Sequence, residues 1–155
     1  MSNFLRAGDT ISGQEGTAQA IIKGKVETLF MIRTLKAKAE KKKEPVRTLG
    51  RRGEQHKAAG WSGSGEMNVY YVTSLFRQIM LDYIKHGRDI YFDIIITNDD
   101  PTSTIGRQTV ALRGCNLNSV MMAALDTETS VLDEDLDFTF DDVDLLEAFG
   151  KPNNM

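Results

Sequence analysis

The sequence predicts a β-rich α+β fold, a sandwich or barrel with one helix against its side. Most apolar segments alternate with period two or form short β-branched runs. One segment alone has convincing helical spacing. The order strands, helix, strands also lacks the strand–helix alternation of parallel βαβ winding. The 155 residues fit a single domain with a real core, at 41% hydrophobic and 26% charged content.

Along the chain, residues 16–40 read as a β-hairpin. Thr17 to Ile22 alternate loosely, Lys23 and Gly24 form a tight turn, and Val26 opens a long second strand, "VETLFMIRTLKAKAE". In its second half Leu35, Ala37 and Ala39 share one side, and Lys36, Lys38 and Glu40 the other. The apolar signal then stops. Between residues 41 and 63 the sizeable apolar side chains are Val46, Leu49 and Trp61, and Pro45 with Gly50, Gly53, Gly60 and Gly63 interrupts the pattern. This stretch reads as a long basic loop, beyond the usual loop length and ordering on contact with a partner.

Residues 66–72, "EMNVYYV", return as a strand. Thr73 and Ser74 supply a helix N-cap before "LFRQIMLDYIKHG", in which Leu75, Phe76, Ile79, Met80, Tyr83 and Ile84 form an apolar stripe expected in the core. Lys85 and His86 suit the C-terminal end, and Gly87 stops the helix. Residues 89–97 form a buried strand, "NDDPTSTIGR" a loop, and residues 108–120 a strand bent at Gly114. In the last strand, residues 131–142, Leu132, Leu136, Phe138 and Phe140 share the core face, with Glu134 as the exception. Asp133, Asp135, Asp137, Thr139 and Asp141 share the other, a ladder of carboxylates.

The net charge of −3 conceals a separation. Residues 33–57 hold ten Lys/Arg and three Glu, a balance of +7; residues 126–147 hold ten Asp/Glu and no Lys/Arg, a balance of −10. Such separation suggests an electrostatic contact surface. The basic side chains that define it are Lys41, Lys42, Lys43, Arg47, Arg51, Arg52, His56 and Lys57, with Trp61 among them. Asp133, Asp135, Asp137 and Asp141 define the acidic face.

Catalytic and cofactor signatures are missing. Neither Gly24-Lys25 nor Gly150-Lys151 continues as a phosphate loop. His56 and His86 stand apart from Cys115 in sequence, so no metal-ligand spacing forms. Cys115 as the one cysteine excludes an internal disulfide and fits a reducing compartment. The run "DEDLDFTFDD" fails as a calcium loop: counting from Asp133, Phe138 stands where Gly is needed and Asp144 where Glu is needed. No run reaches membrane-spanning length, and the first ten residues show no secretory h-region. The reading is therefore no enzyme, no cofactor and no metal. Nucleic-acid binding remains as an alternative, with Arg47, Arg51, Arg52 and Lys57 on phosphates and Trp61 stacked on a base, against repulsion from the acidic strand.

The ordered set "ISG" (Ile11 to Gly13), "EG" (Glu15, Gly16), "GRRGEQHKAAGWSGSGEMNVYYVTSLF" (from Gly50), "DYIKHG" (from Asp82) and "FTFDD" (from Phe138) resembles the phage tail tube proteins of the PBSX, or XkdM-like, type. The loop after Asp99 and Trp61 depart from that pattern. The resemblance implies two antiparallel sheets packed as a sandwich or barrel with a flanking helix, and no catalytic site. It implies hexameric rings stacked into a hollow tube inside a contractile sheath, in a virion tail or phage-tail-like bacteriocin. The tube would be a conduit for DNA or for membrane puncture. Implied partners are copies of the chain itself, the sheath, the baseplate or tube initiator, the tape measure and the terminator. DNA would only pass through, and this subunit would not bind membrane. Assembly would take place in the bacterial cytoplasm, with release on lysis. A related terminator or secretion-system tube subunit is the nearest alternative. The basic loop would reach a neighbouring subunit, and the acidic face would line the channel or meet that loop.

Overall fold

The computed structural model describes residues 5–29 and 31–151. Residues 1–4, which fall in the stretch searched for a secretory h-region, and Phe30, placed by its sequence in the strand after Val26, lie outside the described residues. The strands are β1 (Gly16–Ile22), β2 (Lys25–Thr28), β3 (Ile32–Val46), β4 (Gln55–Tyr70), β5 (Phe92–Asp99), β6 (Arg107–Ser119), β7 (Asp133–Phe140) and β8 (Asp142–Glu147), with one helix, α1 (Leu75–His86), after β4. Every strand pairing is antiparallel. Lys23 and Gly24, both at positive φ (50° and 78°), make the expected two-residue turn between β1 and β2.

The β-rich class with one helix is as expected, but the two sheets are one. The strand order is β2-β1-β5-β6-β7-β4-β3, with β8 also paired to β6. β7 and β8 run along the same side of β6 in one register, Thr139 opposite Asn116 and Asp142 opposite Arg113. Between these pairs both strands bend. Gly114 takes φ 65°, and a Cβ there would collide with the Asp141 carboxylate. The Asp141 N–H donates to the Arg113 carbonyl (3.0 Å) across the bend. The first half-sheet is thus β2-β1-β5-β6-β8, and the second is the end of β6 with β7, β4 and β3. Their inner faces meet in one core, with Ala20, Ile94 and Leu112 from the first half and Met67, Val69, Leu136 and Phe138 from the second.

The predicted second strand of the first hairpin divides into β2 and β3. Leu29 and Met31 are both buried, and the chain crosses there from one half-sheet to the other. The helix ends as expected: Gly87 is left-handed (φ 67°) and its N–H donates to the Tyr83 carbonyl (2.9 Å). Only its first two turns reach the core, through Phe76 and Ile79, so Tyr83 and Ile84 of the stripe are exposed.

Two sequence details set the packing of the second half-sheet. Gly63 lies opposite Phe140 and Gly65 opposite Phe138, and each phenyl ring occupies the space a Cβ would take on its glycine. Glu134, out of pattern in sequence, is 1% exposed and receives a charge-assisted hydrogen bond from Arg77 of α1 (2.7 Å). Arg77 also donates to the carbonyls of Thr73 and Met121 and lies 4.3 Å over the Tyr71 ring. Burial pushes the Glu134 carboxyl above the usual range, with Arg77 opposing the shift.

Gly65→Ala is expected to destabilise the fold by about 1–3 kcal/mol, because the fully buried Phe138 ring cannot move away; urea denaturation measures it. Arg77→Met strands a buried carboxylate and is expected to cost about 3–5 kcal/mol, much of it recovered by Glu134→Leu in the same chain. A raised carboxyl pKa means the folded state holds the extra proton. The Arg77→Met protein should therefore gain stability as pH falls from 7 toward the ordinary glutamate range, read as a rising denaturation midpoint.

Candidate assembly interface

Residues 41–63, expected as a loop, are mostly paired strand. The hairpin of β3 and β4 stays paired from Leu35 opposite Met67 to Val46 opposite Gln55. β7 accompanies β4 only as far as Gly63. From there to the tip, residues 40–46 of β3 at a strand rise of about 3.3 Å give an arm of roughly 23 Å held by two strands alone. The sequence concealed it because both faces are exposed, so no apolar alternation marks it. Pro45 is tolerated opposite His56 because β3 is an edge strand. A register shift after Lys41, with Gly60 at φ 121°, twists the arm.

Lys41, Lys42, Lys43 and Lys57 lie along this arm, with His56. Arg47 pairs with Glu54 across the tip (3.3 Å), and Arg51, Arg52 and Leu49 are exposed in the connection. Residues 41–57 hold seven Lys/Arg and two Glu, a balance of +5. Trp61, opposite Lys41, packs its ring 6.1 Å from Phe140 and remains 45% exposed. A two-stranded ribbon of this length is marginal in water without further support.

Asp135 and Asp137 stand on the outer face of β7, away from the core, and Asp133 is half-buried at its start. They share that face with the base of the basic arm. Lys36, Glu66 and Asp137 form one cross-strand row, and Asn68 donates to Asp135 (2.7 Å) in another. Arg33 pairs with Asp133 and lies 5.5 Å over Tyr70. Glu66 directly opposite Asp137 places like charges together, which Lys36 relieves from one side. Asp141 is not in the ladder; the bend turns it against Gly114. Four of the ten acidic residues between 126 and 147 form ion pairs among the described residues: Asp133 with Arg33, Glu134 with Arg77, Asp144 with Arg113 and Glu147 with Arg107.

Sequence reasoning missed three apolar exposures. β8 presents Val143, Leu145 and Leu146 at a sheet edge. Residues 120–125 are an irregular apolar run with Met121, Met122 and Leu125 in solvent, and the unbroken string "VMMAAL" was its signal. Between the half-sheets lies an open cleft of about 940 Å³, with Leu35, Ala37 and Ala39 of β3 facing Ile96, Val110 and Val143. Cys115 is buried and its thiol is pushed up to about 12, leaving no thiolate for chemistry. Among the described residues no cluster of His, Cys, Asp or Glu is arranged to hold a metal ion.

Comparison with known proteins matches residues 3–147 to the family described as phage tail tube protein. Two proteins of Bacillus subtilis (strain 168) align over 143 residues, 92% of this chain and 95% of each relative. They are the uncharacterized protein YqbM, 41% identical, and the phage-like element PBSX protein XkdM, 40% identical. A chain from the sheath–tube complex of the extracellular contractile injection system PVC, in its extended state, shares the fold at TM-score 0.66. That likeness covers 92% of this chain and 95% of the other at 12% identity.

Trp61 is the sole tryptophan, so its emission reports on the arm. If the arm docks on another subunit, the emission maximum shifts to shorter wavelength on assembly. An unchanged spectrum in assembled material would rule out burial of the arm at that point.

Proposed function

The chain belongs to the phage tail tube family and is a component of a tail or tail-like particle; we propose that six copies close a ring and that rings stack into the hollow inner tube of a contractile tail. One observation carries this reading. The second half-sheet has four antiparallel strands and two free edges, residues 116–119 of β6 and the outer side of β3. With an even number of strands, the two edges run in opposite directions. Rotation about an axis then places β3 of one copy antiparallel to β6 of the next, and the sheet continues from copy to copy until it closes. Closure removes the edges that would otherwise invite uncontrolled association.

In this arrangement the outer face of β7 lines the channel, and Asp135 and Asp137 repel a phosphate backbone so that DNA passes without sticking. The basic arm leaves the ring and docks on a neighbouring subunit. Its charge of +5 favours a site with exposed carboxylates outside the chain's own ion pairs, such as Asp126, Glu128 or Asp142 of another copy. A head-to-tail contact of this kind repeats along an axis instead of pairing off. Sheath, baseplate, tape measure and terminator proteins are the partners of such a tube, and the role is structural rather than catalytic. Assembly takes place in the host cytoplasm, with release on lysis.

Negative-stain electron microscopy of the concentrated protein tests the reading: hollow tubes of uniform width are expected. Isolated rings would point to a terminator-like role, and a monomer that binds DNA tightly would overturn it. Arg51→Glu with Arg52→Glu should leave monomer stability within about 0.5 kcal/mol, since both side chains are exposed, but weaken stacking most strongly at low salt. Assembly unchanged at low and high salt would remove the electrostatic role of the arm.

A further inference from the structure

The chain carries both an open cleft with apolar side chains on its two facing walls and an uncharged apolar segment that lies outside it. We infer that residues 120–125 of one copy insert into the cleft between the half-sheets of the next, locking the ring sideways. The inference rests on the ring assembly proposed above.

From Cys115 to Leu125 there is no charged residue, and Met122 and Leu125 are 43% and 100% exposed. Loops exposed to water are ordinarily polar, so a run of this kind signals a missing partner. Its root is fixed. Val120 packs against the core, and the Met121 carbonyl accepts a hydrogen bond from Arg77 (3.3 Å). The segment therefore leaves the second half-sheet at the free edge of β6.

The receiving site lies at the opposite edge. Leu35 and Ala37 on the inner side of β3 form one wall of the cleft, and Ile96, Val110 and Val143 of the first half-sheet form the other. The cleft runs across β4 and β7 as far as Asn118 of β6, yet no residue of the 120–125 segment lines it in its own chain. Joining β6 of one copy to β3 of the next brings segment and cleft together. Six extended residues reach about 20 Å, several times the strand spacing of about 4.8 Å, so the segment can enter from the joined edge. Methionine suits the task, since its flexible thioether fills irregular apolar space.

The test uses the full chain carrying Met122→Cys and Ala37→Cys, assembled and then oxidised. Both positions are exposed in the single chain, while Cys115 is buried with its thiol pushed up to about 12 and stays out of the reaction. A ladder of covalent multimers on a non-reducing gel is expected. Met122→Asp should fold normally by circular dichroism yet lose assembly by more than about tenfold, because the carboxylate would be buried without a partner. That loss should persist at all salt concentrations, unlike the loss caused by charge reversal in the arm. Assembly of the double-cysteine chain with no inter-chain link, or wild-type assembly by Met122→Asp, would overturn the inference and leave the ring reading standing. Failure of the wild-type chain to form rings or tubes would overturn both.

Discussion

The bend shared by β6 and the β7–β8 strand is the constraint on which the rest depends. A single antiparallel sheet cannot cover its own apolar face. Here a left-handed Gly114, with Asp141 filling the space above it, turns the sheet so that one half covers the other. Without the bend, Ile94 and Leu112 would have no Leu136 and Phe138 to meet. The bend also decides which parts of β6 remain open, because β5 accompanies only the portion up to Cys115. The free edge at residues 116–119 is a by-product of how the core closes.

Within the second half-sheet, packing is set by shape and then fixed by charge. Two glycines on β4 accept two phenylalanine rings from β7, so the pair of strands is thin enough for the opposing half to approach. A buried salt bridge then ties the helix to this sheet. Its energetic return is small once desolvation is counted, since one Glu134 oxygen has no hydrogen-bond partner. Its value lies in specifying where α1 sits: only one placement brings Arg77 to Glu134, the Met121 carbonyl and the Tyr71 ring together. The same arginine thereby holds the root of the exposed apolar segment.

The surface of one copy is poorly suited to solitary life in water. An arm of two strands, apolar side chains on the edge strand β8 and an open cleft would each be a liability in a monomer. In the ring proposed above they would become mutual contacts of two physical kinds. Sideways contacts would be apolar and continue a sheet, whereas the contact made by the arm would be charged and reach outward. Separating the two kinds would let a ring close tightly while the joint between rings stays tunable by charge.

Much of this was legible in the sequence. Alternation located β1 and β7, a nearly continuous β-forming run located β5, residues 108–120 were read as the strand that is β6, and Gly87 ended the helix where expected. The line of aspartates on β7 followed from period two, and its motifs pointed to the family. Glu134 was visible as an exception, but its partner lies 57 residues away on a helix, and no local pattern encodes such a pairing. The arm was misread as a loop for a related reason. Alternation records which side of a strand meets its own core, and residues 41–57 meet none, so their pairing left no contrast to read. The number of sheets was likewise a tertiary matter, because a strand that serves two half-sheets looks in sequence like any other. The sequence by itself determined the local states, through periodicity and turn chemistry. Tertiary structure decided what faces what, because burial of a particular side chain depends on elements far away along the chain.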